Sequence, residues 1–322
     1  MLREFLERHQ VGIYFASVVI GAAVAWAVAG TERLEALVNP ALALMLFVTF
    51  LQVPLRDIGK AFRDVRFLAA LLVSNFVVLP FLVFLLLQFA PADPMVRLGM
   101  LMVLLTPCID YVITFSQLGR ADARLLLAAT PLLLVAQMAL LPFYLAAFLG
   151  AEASELVSVG PFLHAFVWLI AVPLVLAALV QFWSSRNSVG SRIADVLGLL
   201  PVPSTALVLF LVVAAMMPLL GSAVDHALAV LPLYVAFAII APVLGWFTAR
   251  AIRLGVAASR SVAFSSATRN SLVVMPLALA VPGAVPVLLA VIVTQTLVEL
   301  LSEQVYIRIM PFVGRSAAEH TA

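Results

Sequence analysis

Residues 67 to 89 read FLAALLVSNFVVLPFLVFLLLQF, twenty-three positions without a charge. At ~1.5 Å of rise per residue, a helix of this length covers the ~30 Å hydrocarbon core of a bilayer. Arg56, Lys60, Arg63 and Arg66 precede the stretch and Asp93 follows it. One end is therefore cationic and the other is not, as expected of a helix held across a membrane in one orientation.

Working outward, further apolar runs lie roughly at residues 11 to 30, 35 to 54, 96 to 118, 124 to 149, 160 to 183, 199 to 220, 227 to 249, 261 to 281 and 284 to 306. The gaps between them alternate in charge. Of the 18 Lys and Arg residues, fifteen fall in one set of gaps: Arg3 and Arg8, the four from Arg56 to Arg66, Arg120 and Arg124, Arg186 and Arg192, Arg250, Arg253 and Arg260, and Arg308 and Arg315. The other set holds Arg33 and Arg97 beside Glu32, Glu35, Asp93, Glu152, Glu155 and Asp225. Ten crossings place every basic gap on one side, which the positive-inside rule makes cytoplasmic. The sequence thus predicts an all-α, multi-pass protein of the cytoplasmic (inner) membrane with both termini cytoplasmic.

Composition excludes the main alternatives. A chain 65% hydrophobic and 11% charged is far from the soluble average, in which about a quarter of residues are charged. The net charge of +2 comes from loop cations and points to the lipid bilayer as partner, with no nucleic acid. A mixed-charge segment precedes the first apolar run and no small-residue cleavage site follows it, so residues 11 to 30 are expected to form a retained helix. One cysteine excludes an intramolecular disulfide and a multi-cysteine metal site. The sequence has no HExxH, phosphate loop or nucleophile elbow, so no cofactor, metal or enzyme chemistry is expected. An intramembrane aspartyl protease needs paired aspartates, and Asp110 has no second Asp within a span.

The two halves share an organisation. Five helices in each, an odd number, insert the second half upside down relative to the first, an inverted repeat of the kind common in transporters. The boundaries are 1–158 and 159–322. Thr106-Pro107-Cys108-Ile109-Asp110 interrupts the fourth run, and Ser265-Ser266-Ala267-Thr268-Arg269-Asn270-Ser271 occupies the matching place in the ninth. Pro107 removes a backbone donor and clashes with the preceding turn, while Ser, Thr and Asn can satisfy freed backbone groups. Helices four and nine are expected to be broken and to cross.

Pro107-Cys108-Ile109, Ala267-Thr268-Arg269-Asn270-Ser271 and the run from Val293 to Glu299 resemble the arsenite-efflux (arsenical resistance) permeases of the bile acid:sodium symporter superfamily. The resemblance implies a core domain of helices 3–5 and 8–10 and a panel domain of helices 1, 2, 6 and 7. Sodium-coupled relatives carry a Glu and a Gln where this chain has Ser265 and Arg269. A fixed guanidinium there would repel a cation, so sodium coupling is not expected. Asp110 departs from the arsenite pattern, which has a small apolar residue at that place.

Ionisable groups inside spans cost about 2.5 to 3.5 kcal/mol each on insertion scales and are functional candidates by default. Arg269 has two readings, direct binding of an anion or an ion pair with Asp110. Asp110 either binds a coupling proton or makes that same pair. Glu299 is the proton-coupling candidate, with Gln295 and Glu303 one turn to either side on the same face; its alternative is a hydrogen-bonded structural carboxylate. Glu303 is expected to snorkel toward Arg308. Cys108 is either a small buried hydrophobe or a thiolate that touches a soft trivalent arsenical, and its place after Pro107 favours the second.

The predicted function is secondary active transport, a proton-coupled antiporter that exports arsenite or a related oxyanion or hydroxide. Cys108, Asn270, Ser271 and nearby hydroxyls meet the small substrate, and Glu299 takes the proton. The alternative is a sodium-independent carrier of a small organic or inorganic anion held by Arg269.

Overall fold

The structure, a computed structural model, describes residues 2–52, 64–109, 111–150, 164, 166–218 and 223–314. Arg56, Lys60, Arg63, Glu152, Glu155 and Arg315 lie outside the described residues, as does Asp110, read above as a proton-binding group or the ion-pair partner of Arg269.

The helices are α1 (Leu2–Ala27), α2 (Glu35–Gln52), α3 (Val65–Leu87), α4 (Pro94–Leu104), α5 (Val112–Leu118), α6 (Ala123–Leu149), α7 (Val172–Ser184), α8 (Ser188–Leu197), α9 (Pro201–Met216), α10 (Val224–Ala251), α11 (Val256–Ala267), α12 (Ser271–Leu279) and α13 (Val287–Ile309). No strand occurs among the described residues. Among the described residues, seven segments are long and apolar enough to cross a bilayer: Arg8–Ala27, Thr31–Gln52, α3, α6, Ser188–Met216, α10 and Val287–Phe312. The chain is an all-α membrane protein.

The fourth and ninth runs are absent from those seven for a local reason. Each is divided: the fourth into α4 and α5 around Pro107, the ninth into α11 and α12 around Thr268, Arg269 and Asn270. Neither half reaches ~20 residues alone. Loop carboxylates start several helices by accepting from first-turn amides that have no partner within the helix. Asp64 accepts from Phe67 N–H at 3.0 Å, Asp93 from Met95 N–H at 2.8 Å, and Asp122 from Leu125 N–H at 3.4 Å.

The chain forms two compact units. The first contains α1, α2, α7–α9 and residues 272–291. Within it α9 packs against α1 and α2, and α7 against α2. Gly21 sets the first of these spacings, because a Cβ there would lie 2.8 Å from Phe210 O. Gln181 of α7 donates Nε2–H to Phe50 O and Leu51 O at 3.1 and 3.2 Å, satisfying carbonyls at the end of α2.

The second unit contains α3–α6, residues 228–271 and residues 292–314 of the described chain. Here α11 is the central element, touching α3, α5 and α6. Every residue from Ser259 to Ala267 is buried. Its serines keep it thin: a Cβ on Gly245 of α10 would lie 2.3 Å from Ser266 Oγ, so that contact requires glycine.

The polarity of this unit runs inside out. On α3, Val77 and Phe81 are each 63% exposed, while Ser74 and Asn75 are fully buried. A soluble protein would bury the aromatics and expose the amide. In lipid the apolar face loses nothing, and the buried polar groups must find partners within the protein.

Candidate functional site

The two helix breaks pair with each other. Pro107 and Arg269 form an isolated antiparallel bridge. Cys108 N–H donates to Thr268 O at 3.0 Å, and Asn270 N–H donates to Thr106 O at 2.8 Å. Unwound backbone in a membrane is tolerated only when its amides and carbonyls are satisfied by protein or water. Each break here satisfies the other: Cys108 faces Thr268 and Asn270 faces Thr106, which puts Cys108 and Asn270 at opposite ends of the antiparallel bridge. Both side chains are buried.

Arg269 lies at the centre of this pairing and is fully buried. Its Nη2 is 2.8 Å from Asn75 Oδ1, 2.6 Å from Ser265 O and 2.8 Å from Ser266 O. Its Nη1 donates to Leu104 O at 3.3 Å. The guanidinium carbon stands 5.5 Å from the centre of the Phe237 ring, within cation–π range. The oxygens come from α3, from the end of α4 and from α11, so one cation ties three elements together. Nε makes no hydrogen bond among the described residues.

Asn75 reaches this cage because α3 widens into a π-helical turn over Ser74–Val78. Such turns often mark functional sites, since the extra residue redirects the side chains around it. Asn75 Nδ2 donates to Leu71 O at 3.0 Å and to Ser265 Oγ at 3.1 Å, which turns its Oδ1 toward Arg269. The neighbouring Ser74 hydroxyl is 2.7 Å from that of Ser266.

α13 supplies the carboxylates. Glu299 Oε2 accepts from the Arg269 backbone N–H at 2.7 Å and from Gln295 Nε2–H at 2.6 Å. Glu299 Oε1 accepts from the Tyr111 hydroxyl at 2.5 Å. Three donors converge on one side chain, an arrangement that suits an ionised carboxylate. Glu303, one turn further along, is completely buried and bonds Thr268 Oγ1 at 2.5 Å. The expected snorkelling of Glu303 toward Arg308 is corrected by this geometry, because its side chain turns inward to the break. Thr296 donates to Ser271 Oγ at 2.9 Å, tying α13 to the first residue of α12.

Pro107, Cys108, Arg269, Asn270, Ser271 and Glu299 all lie in or beside the paired breaks of the second unit. The sequence reading missed Asn75 and Tyr111 as members of the site and misplaced Glu303. Ser74-Asn75, a polar pair inside an otherwise apolar run, was the available signal for the first. Tyr111 follows the break directly. Nothing in the sequence marks its hydroxyl as the partner of Glu299.

Apolar helices around a buried polar centre, with two backbone breaks joined inside it, define a membrane protein of the transporter type. Residues 39–226 match the model of the Sodium Bile acid symporter family, and the chain belongs to that family. No curated protein matches it significantly. The family match covers α3 to α9, whereas Arg269, Glu299 and Glu303 lie beyond it.

Proposed function

We propose that this chain is a sodium-independent secondary transporter that exports arsenite or a related trivalent oxyanion or hydroxide in exchange for protons. The caged guanidinium of Arg269 is the observation that carries this reading. It supplies a permanent positive charge, surrounded by four oxygens, at the meeting of the two breaks. Arg remains protonated in proteins, and a second cation brought beside it would meet like-charge repulsion in a low-dielectric site. Coupling then falls to protons and to the carboxyl groups of α13, of which Glu299 and Glu303 are the buried members. Cys108 and Asn270 at the paired breaks are the substrate contacts of this reading, with Ser271 beside them. The anion-carrier reading is weaker because both Nη groups of Arg269 already face protein oxygens.

In the proposed topology each divided run counts as one crossing, and α7 with the residues before it as another. That gives ten crossings in two inverted repeats, 1–158 and 159–322, with both termini cytoplasmic. Helices 3–5 and 8–10 form the core domain in this scheme, and helices 1, 2, 6 and 7 the panel. Single cysteines in a Cys108→Ser background test it with an impermeant thiol reagent. Positions 60, 120, 192 and 253 should label from the cytoplasm, and 93, 152 and 225 from outside. Labelling of 120 and 152 from the same side would reject the topology.

Arsenite flux into everted vesicles tests the coupling. A pH gradient should drive it, and replacing sodium with choline on both sides should leave it unchanged. Clear stimulation by a sodium gradient would remove the reading of Arg269 as the resident cation.

A further inference from the structure

The Thr268 hydroxyl has one proton and two partners that each call for one. It lies 2.7 Å from Phe264 O and 2.5 Å from Glu303 Oε1. Phe264 O is a carbonyl and can only accept. The bond to it is the back-bond a Thr commonly makes to the carbonyl four residues earlier in a helix, and it uses the hydroxyl proton. The contact between Thr268 and Glu303 then lacks a proton unless the carboxyl group brings its own. A protonated Glu303 donates to Thr268 Oγ1, Thr268 donates to Phe264 O, and every short contact in the chain holds one hydrogen.

The surroundings agree with a neutral carboxyl. Glu303 is fully buried and its Oε2 has no hydrogen-bond partner among the described residues. Among the described residues, the titratable groups that act on it or that it acts on are Glu299 and Tyr306, both on its own helix, and no Lys, Arg or His is among them. Thr268 from the break is its polar neighbour, and Arg269 beyond it is held by its own oxygen cage. Tyr306 gives its hydroxyl to Ala238 O of α10, and Phe264 packs edge-on against its ring. Glu299, in contrast, accepts three hydrogen bonds, one of them from the backbone N–H of Arg269. Two carboxylates one turn apart in a buried, low-dielectric site repel each other, so they divide into one ionised and one protonated group. Glu299 with Arg269 makes a balanced pair, and a proton on Glu303 keeps the cluster neutral.

We propose that Glu303 is a proton-binding residue of this site and holds the exchangeable proton, while Glu299 is the fixed counter-charge of Arg269. This assignment rests on the proton-coupled reading above and locates the proton within it. Glu303 lies six residues before the end of α13 at Ile309, about 9 Å along the axis at ~1.5 Å per residue. The proton passes between Glu303 and water reaching that end, and no other bond is made or broken. Release leaves an uncompensated negative charge against Thr268, at the joint between the two breaks. Occupancy of Glu303 and the arrangement of the breaks are thereby linked, which gives the proton the differential interaction with two states that coupling requires.

Infrared difference spectroscopy on the purified full chain in lipid vesicles, in water and in deuterium oxide, tests the assignment. Wild-type protein at neutral pH should show the C=O stretch of a protonated carboxyl group, and Glu303→Gln should remove that band. Gln is close in shape and can donate from Nε2 to Thr268 Oγ1 as the acid does, so the fold should tolerate it. Thr268→Val should keep the band but move it, because the acid loses its acceptor. A wild-type band untouched by Glu303→Gln, or none at all at neutral pH, would overturn the proposal. Vesicle flux separates it from the reading it rests on. If wild-type flux ignores a pH gradient, proton coupling fails, while the infrared band still decides whether Glu303 holds a proton. If wild-type flux follows the gradient and Glu303→Gln follows it equally, the coupling role of Glu303 is overturned.

Discussion

Arg269→Gln is expected to abolish transport and to reduce the amount of folded protein in the membrane. The guanidinium serves Asn75 Oδ1, Ser265 O, Ser266 O and Leu104 O together. Gln offers one shorter donor group, so most of these acceptors are left without a proton. Glu299 also loses the cation that balances it. Removing one member of a buried, hydrogen-bonded charge cluster costs about 3 to 5 kcal/mol, a large share of the ~5 to 15 kcal/mol by which domains are stable. Arg269→Lys should recover part of the loss, because it restores the charge but presents a compact ammonium where a planar fork fits the oxygens. Two double variants identify the counter-charge. Arg269→Gln with Glu299→Gln should regain abundance, measured by detergent size-exclusion profile and thermal melting, more than Arg269→Gln with Asp110→Asn. Wild-type abundance and melting in Arg269→Gln alone would show that the oxygens around the guanidinium do not depend on it.

The parts of the fold that were legible in the sequence are those set by local chemistry. An uncharged stretch as long as 67–89 covers a bilayer core, and Pro107 falls among Thr106, Cys108 and Asp110 in an otherwise apolar run, so membrane crossings and a break near 107 follow from composition; proline alone does not decide it, since Pro131, Pro142, Pro232 and Pro242 lie inside helices. The break in the ninth run is narrower than its polar segment suggested. Ser265 and Ser266 remain within α11, with Ser266 turned toward Ser74 of α3, and only Thr268, Arg269 and Asn270 separate α11 from α12. Glu299 and Gln295 were legible as a pair because four-residue spacing fixes them on one helical face. What was not legible depends on distant packing. Asn75 becomes a ligand of Arg269 only because α3 takes a π-helical turn and lies against α11, 190 residues away along the chain. Glu303 was read by its distance from the helix end. Its actual environment is decided by the Thr268 hydroxyl on another segment. The alternatives for Arg269 were an anion or Asp110, both ionic; among the described residues its guanidinium faces neutral oxygens, and Asp110 lies outside them. A carbonyl is present at every residue and leaves no mark in a sequence.

Cys108→Ser is expected to abolish arsenite resistance in a sensitive bacterial host while leaving protein abundance intact. The backbone at 108 is fixed by its own N–H, which donates to Thr268 O at 3.0 Å, so the bridge between the breaks does not rely on the side chain. Ser is nearly isosteric with Cys and can form its own local hydrogen bonds in a polar break. The change therefore removes sulfur and little else. A trivalent arsenical is a soft centre that favours thiolate over hydroxyl oxygen. A single thiolate suits a carrier, since one exchangeable bond can form on one side of the membrane and break on the other, whereas three would trap the ligand. Loss of that bond should lower vesicle flux by about tenfold or more, the equivalent of about 1.4 kcal/mol or more of binding. Cys108→Ala should do the same, because neither substitute offers a soft ligand. Full arsenite resistance in Cys108→Ser would remove the thiolate contact from the mechanism. The substrate would then have to be recognised by Asn270, Ser271 and the hydroxyls around them, a set of hard, neutral donors and acceptors suited to oxygen-rich solutes.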